Sequence, residues 1–174
     1  MPRRLLRDGR VVVDDWSYVG EAADHAPAAL ILPFAQWQSE RDAWLARGGR
    51  LGVVLQPAHR VEALAPDIAR FALIAAEFPG PADGRGYSQG RLLRERCNFT
   101  GELRATGYVR RDQLFFLARC GFNSFELAEA DIEDAHLAFA TFSAAYQPAN
   151  DFGLPFKLRR DTPASAALVS DAAA

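Results

Sequence analysis

The chain has 174 residues, 49% of them hydrophobic and 11% aromatic, with a formal net charge of −2. That length suits one domain, because chains of about 150 residues bury roughly 70% of their unfolded surface on folding. Balanced charge and ample apolar content exclude a disordered chain and disfavour a wholesale nucleic-acid binder, so no nucleic acid is expected among its partners.

The opening MPRRLLRDGRVVVDDW carries only three consecutive valines. That run is too short for a signal-peptide core or a membrane span, so a cytoplasmic protein with no membrane partner is expected. Asp8-Gly9 between two apolar arms predicts a β-hairpin, because both residues tolerate positive φ. ALILP (29–33) reads as a buried strand. The following FAQWQSERDAWLAR spaces Phe34, Trp37, Trp44 and Leu45 along a helical face before a Gly48-Gly49 stop.

The alternation then repeats. LGVVLQP (51–57) is a strand, and Ala58 to Ile68 is a short helix limited by Pro66. FALIAAEFPG (71–80) is a strand, followed by a Pro/Gly-rich loop and a helix from about Tyr87 to Cys97. GELRATG (101–107) is a strand, RRDQLFFLARCG a helix, and SFEL (124–127) a short strand. A last helix is predicted from Asp131 to about Tyr146, on the spacing of Ile132, Ala135, Phe139, Phe142 and Tyr146.

Strands apolar on both faces and separated by helices call for a mostly parallel sheet. The expected fold is an α/β domain over residues 1–158, an open sheet of about five βα units with helices on both faces and an N-terminal hairpin. A partial, half-barrel arrangement is the alternative. Residues 159–174 have the composition of a mobile tail.

Two cysteines, Cys97 and Cys120, lack CxxC spacing or a nearby histidine, so neither a zinc site nor a redox motif is indicated. Charge is uneven. Eight arginines fall between Arg85 and Arg119, whereas Gly121 to Asp151 holds six acids and no Lys or Arg. Such polarity is either solvated surface or a docking or anion-binding face.

Gly86-Tyr87-Ser88-Gln89-Gly90 spells the G-x-S-x-G signature of serine hydrolases. A nucleophile elbow sits directly between a strand and a helix. Here PGPADGRG separates Phe78 from Tyr87, which puts Ser88 in the opening turn of a helix. The only downstream histidine, His136, lies mid-helix. As a dinucleotide loop the spacing G-x-G-x-x-x-G is also wrong. The simpler reading takes Asp83 and the glycines as turn formers, with Arg91 and Glu95 as an i,i+4 pair.

Ligands of open α/β sheets gather beyond the carboxyl ends of the strands. That rule nominates Gln56, Glu77, Asp83, Arg85, Ser88, Arg91 and Tyr108 as anion or ligand-binding candidates, with Glu77 the leading positioned carboxylate. No catalytic residue and no cofactor is identified.

Residues 83–127, DGRGYSQGRLLRERCNFTGELRATGYVRRDQLFFLARCGFNSFEL, resemble the bacterial domain-of-unknown-function family numbered nine hundred and thirty-four. The motif positions run from Asp83, Gly84 and Arg85 through Arg94, Glu102, Arg104, Gly107 and Arg111 to Gly121 and Phe122. The family commonly has an acid after the glycine at position 107, where this chain has Tyr108. The resemblance implies a place in sulfur assimilation, since members are typically encoded beside haem-containing assimilatory sulfite reductase and are labelled as oxidoreductases connected with sulfite reduction. Two cysteines cannot supply the four thiolates of an iron–sulfur cluster.

The implied role is therefore an accessory protein docking on sulfite reductase or its electron donor. Arg94, Arg104, Arg110 and Arg111 are the docking candidates, and Phe115-Phe116 a possible contact. The alternatives are a small anion- or cofactor-binding oxidoreductase with its site at the C-terminal sheet edge, and a purely structural partner.

Overall fold

The computed structural model describes residues 3–21, 28–140 and 150. Strands β1 (Arg4–Arg7) and β2 (Arg10–Val13) form the expected antiparallel hairpin. Its turn places Asp8 at φ 49° and Gly9 at φ 76°, the positive-φ geometry whose twist matches the flanking strands. After a three-residue link, Asp14 to Trp16, comes β3 (Ser17–Tyr18), two polar residues that the hydrophobic pattern gave no reason to expect.

The main alternation follows: β4 (Ala29–Pro33), α1 (Phe34–Arg47), β5 (Arg50–Leu55), a 3₁₀ helix (Val61–Arg70), β6 (Phe71–Phe78), α2 (Arg85–Glu95) and β7 (Glu102–Gly107). A 3₁₀ turn (Arg111–Gln113) then runs into α3 (Leu114–Arg119), followed by β8 (Ser124–Phe125), α4 (Glu129–Ile132) and a 3₁₀ helix (Ala135–Ala140). Pro66 lacks the N–H that an α-helical ladder needs, and its segment runs as 3₁₀.

The single helix expected from Asp131 to about Tyr146 is, within the described residues, two short pieces. The buried positions there are Ile132, Ala135 and Ala138. A spacing of three suits the three-residue 3₁₀ turn better than a 3.6-residue one. Phe142 and Tyr146 lie outside the described residues, as do 159–174.

The eight strands form one sheet in the order β2-β1-β8-β7-β6-β5-β4-β3. From β3 to β8 every strand pairs in parallel with its predecessor, and β1 closes antiparallel on β8. Right-handed crossovers between successive neighbours all turn the same way, which puts the helices on one face. The packing agrees. A large cluster joins Leu32, Val53, Ile74, Ala76 and Leu103 to helical Trp37, Leu64, Leu93, Leu114 and Leu117. The opposite face holds a smaller cluster of Trp16, Ala29, Ile31, Leu73 and Ala75, with no helical member. The expected helices on both faces are thus corrected to one face.

The sheet is curled, a half-barrel, because of the link. β2 and β3 are its two edges. Laid flat, eight strands about 4.8 Å apart would hold those edges roughly 34 Å from one another. Yet Val13 and Ser17 are four residue steps apart, a reach of about 14 Å at most. Only a rolled sheet satisfies both.

Helix α2 explains the GYSQG pentapeptide. A Cβ on Gly86 would lie 2.5 Å from the Phe78 ring, and one on Gly90 would lie 2.3 Å from Phe122. Four residues apart on one helical face, these glycines let α2 press on two aromatic rings that themselves meet edge-on at 6.0 Å. Ser88 is exposed between them. Gly90→Ala is therefore expected to cost about 1–3 kcal/mol in urea unfolding through overpacking, and Ser88→Ala to stay within about 0.5 kcal/mol. Equal effects from the two would contradict the packing role.

Candidate functional site

Parallel strands deliver all their C-terminal ends to one rim, where this architecture gathers ligands. On the concave face, register and alternation fix which residues share that space. Ala75 pairs with Arg104 and Glu77 with Thr106 across β6 and β7, and Arg104 pairs with Ser124 across β7 and β8. Glu126 follows two residues later on the same face as Ser124 and toward the rim. Tyr18 comes from β3 at the far edge, and the curl carries its hydroxyl to within 2.8 Å of Glu126 Oε1.

Arg104 is the centre of this face and is fully buried. Its Nη1 and Nη2 each donate to one Asp14 carboxylate oxygen at 2.9 Å, a bidentate fork. Nη2 and Nε also donate to Glu102 Oε1 at 2.8 and 3.1 Å, and Nη1 to Glu126 Oε1 at 3.1 Å. Burial alone would lower the guanidinium, but the bonds from Asp14 and the field of Glu102 outweigh it and raise the group above its usual value.

Three further arginines ring the cluster. Arg3 approaches Asp14 and Glu126 at 3.8 and 3.7 Å, pairs with Glu21 and lies over the Tyr18 ring. Arg7 reaches Glu102 and Asp15, and Arg50 holds Asp15 at 2.6 Å while covering the Trp16 ring.

Toward the mouth the polar groups are smaller. Thr106 donates its hydroxyl to Glu126 Oε2 at 2.6 Å. Tyr18 donates to the other oxygen, and burial followed by the Glu126 charge raises its phenol well above the ordinary value. Glu77, half-buried beside Thr106, has no hydrogen-bond or ion-pair partner among the described residues. Two buried polar atoms on the concave side, Ser124 Oγ and Trp16 Nε1, also lack a partner.

The candidates read from sequence divide sharply. Glu77 lies in the mouth, and Tyr108, 41% exposed, directly follows β7 at the same rim. Gln56 follows β5 there, with its carbonyl accepting from Gln89 at 2.9 Å. The arginines proposed for an anion are already engaged. Arg85 forks onto Asp83 at 2.9 and 2.6 Å and holds that carboxyl below its usual range, and Arg91 pairs with Glu95 at 3.0 Å. Ser88 has no imidazole among its described contacts, and His136 is exposed, its Nδ1 3.2 Å from the Glu133 carbonyl.

One docking candidate is corrected, because Arg104 is wholly internal. Arg94 is half-buried at the edge of a second groove, and its guanidinium donates to the carbonyls of Phe99, Gly101 and Gly121. Arg110 and Arg111 do face outward, around a groove of about 500 Å³ that also involves Asp112, Phe115, Phe116, Asp131 and Ala138. Arg110 lies 3.6 Å from Asp131.

Sequence reasoning missed Asp14, Tyr18, Thr106 and Glu126 altogether. One signal was present: Glu102, Arg104 and Thr106 alternate with Leu103 and Ala105, a period of two that marks one face of β7 as polar. Among the described residues no group of three or more His, Cys, Asp or Glu could hold a metal ion, and no helix is long and apolar enough to cross a membrane.

Residues 52–156, more than half of the chain, match a family profile described as "Bacterial protein of unknown function (DUF934)". No curated protein matches the chain.

Replacing Arg104 by Met leaves three carboxylates facing one another without their shared cation. The expected loss is about 3–5 kcal/mol in denaturant unfolding, and Arg104→Lys should recover only part of it because an ammonium cannot fork onto Asp14. A wild-type midpoint for Arg104→Met would refute the clamp.

Tyr18 supplies a pH test. Its phenol stays protonated in the folded chain, whereas an unfolded tyrosine ionises near pH 10. Its contribution is complete below about pH 10 and drains away as pH rises through the folded value. Tyr18→Phe should flatten part of the alkaline limb of stability, with Tyr87, raised by the same kind of burial, retaining the rest. An unchanged alkaline slope would count against a buried phenol.

Proposed function

We propose that this chain, which belongs to the bacterial DUF934 family, is an accessory protein of assimilatory sulfite reduction that docks on sulfite reductase or its electron donor. The support for docking over chemistry is how the arginines are used. Arg85, Arg91, Arg94 and Arg104 are spent on internal bonds or local ion pairs. Arg110, which lies over the exposed Tyr108 ring and 3.6 Å from Asp131, and Arg111 stay exposed around one groove with Phe116, which is 52% exposed.

Arginine and aromatic side chains are the types enriched at interface centres. Asp112 and Asp131 beside them give the groove both signs of charge, which orients a partner rather than merely attracting it. The alternative, a small anion-binding oxidoreductase, draws less support, because the two arginines nearest its loop are neutralised by Asp83 and Glu95.

The test is affinity capture of the tagged protein from cells growing on sulfate, followed by binding to purified sulfite reductase and its donor at rising ionic strength. Salt-sensitive binding is expected. The double substitution Arg110→Glu, Arg111→Glu should weaken it about 10- to 100-fold, equivalent to about 1.4–2.8 kcal/mol, while Ser88→Ala leaves it intact. Failure of both proteins to bind would refute the proposal.

A further inference from the structure

We propose that the C-terminal mouth of the curled sheet binds a small organic cation bearing N–H donors, an ammonium or guanidinium group, with Glu77 as its counter-charge. This site is separate from the docking groove and goes beyond the accessory role.

The direction of each hydrogen bond identifies the ligand class. Tyr18 and Thr106 both donate their hydroxyl protons to Glu126, at 2.8 and 2.6 Å. Each hydroxyl has only one proton to give. Thr106 Oγ1 also lies 3.4 Å from the Tyr18 hydroxyl, so with both protons committed to Glu126 the two oxygens have only lone pairs left, and the Glu77 carboxylate beside Thr106 is acceptor-only as well. A ligand seated there has to be a donor.

Charge agrees with this assignment. On the concave side Arg3, Arg7, Arg50 and Arg104 are matched in ion pairs by Asp14, Asp15, Glu21, Glu102 and Glu126. Glu77 adds one more carboxylate with no cation assigned to it among the described residues. A half-buried, unpaired carboxylate is costly to keep, and an anion would meet net repulsion.

An independent mark lies on the floor. Ser124, fully buried one step below Glu126 on the same face, has a hydroxyl without a hydrogen-bond partner among the described residues. A buried hydroxyl is ordinarily satisfied, so this one is hydrogen-bonding capacity left unused within the fold and turned toward the same concave space. A metal ion is the poorer occupant, since no described cluster offers three ligating side chains.

The experiment follows the Thr106 methyl signal by NMR while the intact protein is titrated at constant ionic strength with ethylammonium, methylguanidinium or tetramethylammonium. The first two should produce saturable shifts at Thr106, and whichever binds tighter identifies the cation. Tetramethylammonium has charge but no N–H and should bind at least tenfold more weakly. Glu77→Gln should lose at least tenfold in affinity with an unfolding midpoint unchanged or raised, because no bond within the described fold is lost with the carboxylate and its cost is removed. Thr106→Val, followed through the Val54 methyls, should weaken binding as well. Equal shifts from all three cations, no saturable shift from either N–H donor, or unaltered binding by Glu77→Gln would overturn the assignment. The reductase is absent from this titration, so its outcome is independent of the docking reading.

Discussion

Three residues, Asp14, Asp15 and Trp16, join the two edges of an eight-stranded sheet, and that shortness governs what the interior can be. A link of this reach forces the edges together, so the concave face becomes a narrow space filled largely by strand side chains. Gly52 sits there between Ile31 and Leu73, each 3.2 Å from where its Cβ would be, and Ala75 keeps the position beside Arg104 small. Trp16 packs into the same cluster as Ile31, Leu73 and Ala75, and the Arg104 side chain is fully buried beside it. The link is then fixed by charge: the Arg104 fork grips Asp14, whose Oδ1 also accepts the Trp16 N–H at 3.1 Å. Ion clusters of this kind seldom add net stability over apolar packing. Their geometry is more selective, because a planar fork meets a carboxylate in one arrangement, whereas apolar surfaces tolerate sliding.

How much of this was legible follows from the range of each interaction. The hairpin was legible because Asp8-Gly9 encodes its turn locally. Strands β4 to β6 were legible because burial on both faces writes a largely apolar run, and β7 through its alternation of polar and apolar residues. The curl was not, since Asp14 to Trp16 reads as an ordinary polar connection until β2 and β3 are known to be opposite edges. For the same reason Arg104 looked like surface: nothing near it in sequence announces that Asp14, ninety residues earlier, will lie within 2.9 Å. In the candidate site, Glu77 was reached through the rule about strand ends. Tyr18 and Glu126 were not, because they lie in or just beyond two-residue strands, and Thr106 was not, because its role depends on Glu126, twenty residues later.

The positions that carry the family resemblance acquire physical reasons in this fold, and most of those reasons are structural. Gly107 adopts φ +87°, and a Cβ there would lie 2.5 Å from the Phe78 carbonyl oxygen. Gly121, at φ +97°, leaves space for the Arg94 side chain, which in turn satisfies carbonyls between α2 and β8. Asn123 joins the same region to the hairpin, accepting from the Leu103 N–H at 2.8 Å while its carbonyl accepts from Asp8 at 2.9 Å. A run of sequence can therefore be distinctive without encoding a reaction. The hydrolase-like pentapeptide is one example, its glycines serving Phe78 and Phe122 while its serine faces outward.

Glu77 differs from every group just described. Asp14, Glu102 and Glu126 are bound to Arg104, Asp15 to Arg50, Asp83 to Arg85 and Asp67 to Arg41. Asp67 shows what such pairing does, since its carboxyl is held below the ordinary range chiefly by the Arg41 bond. A chain with eight arginines between residues 85 and 119 has no shortage of cations. Among the described residues, leaving one half-buried carboxylate without one, at the rim where strand ends converge, is a local conflict with the pairing of the other carboxylates on the face. Natural folds tolerate such conflicts mainly where a ligand resolves them, and here the neighbouring hydroxyls have already committed their protons to Glu126, so resolution requires a donor from outside.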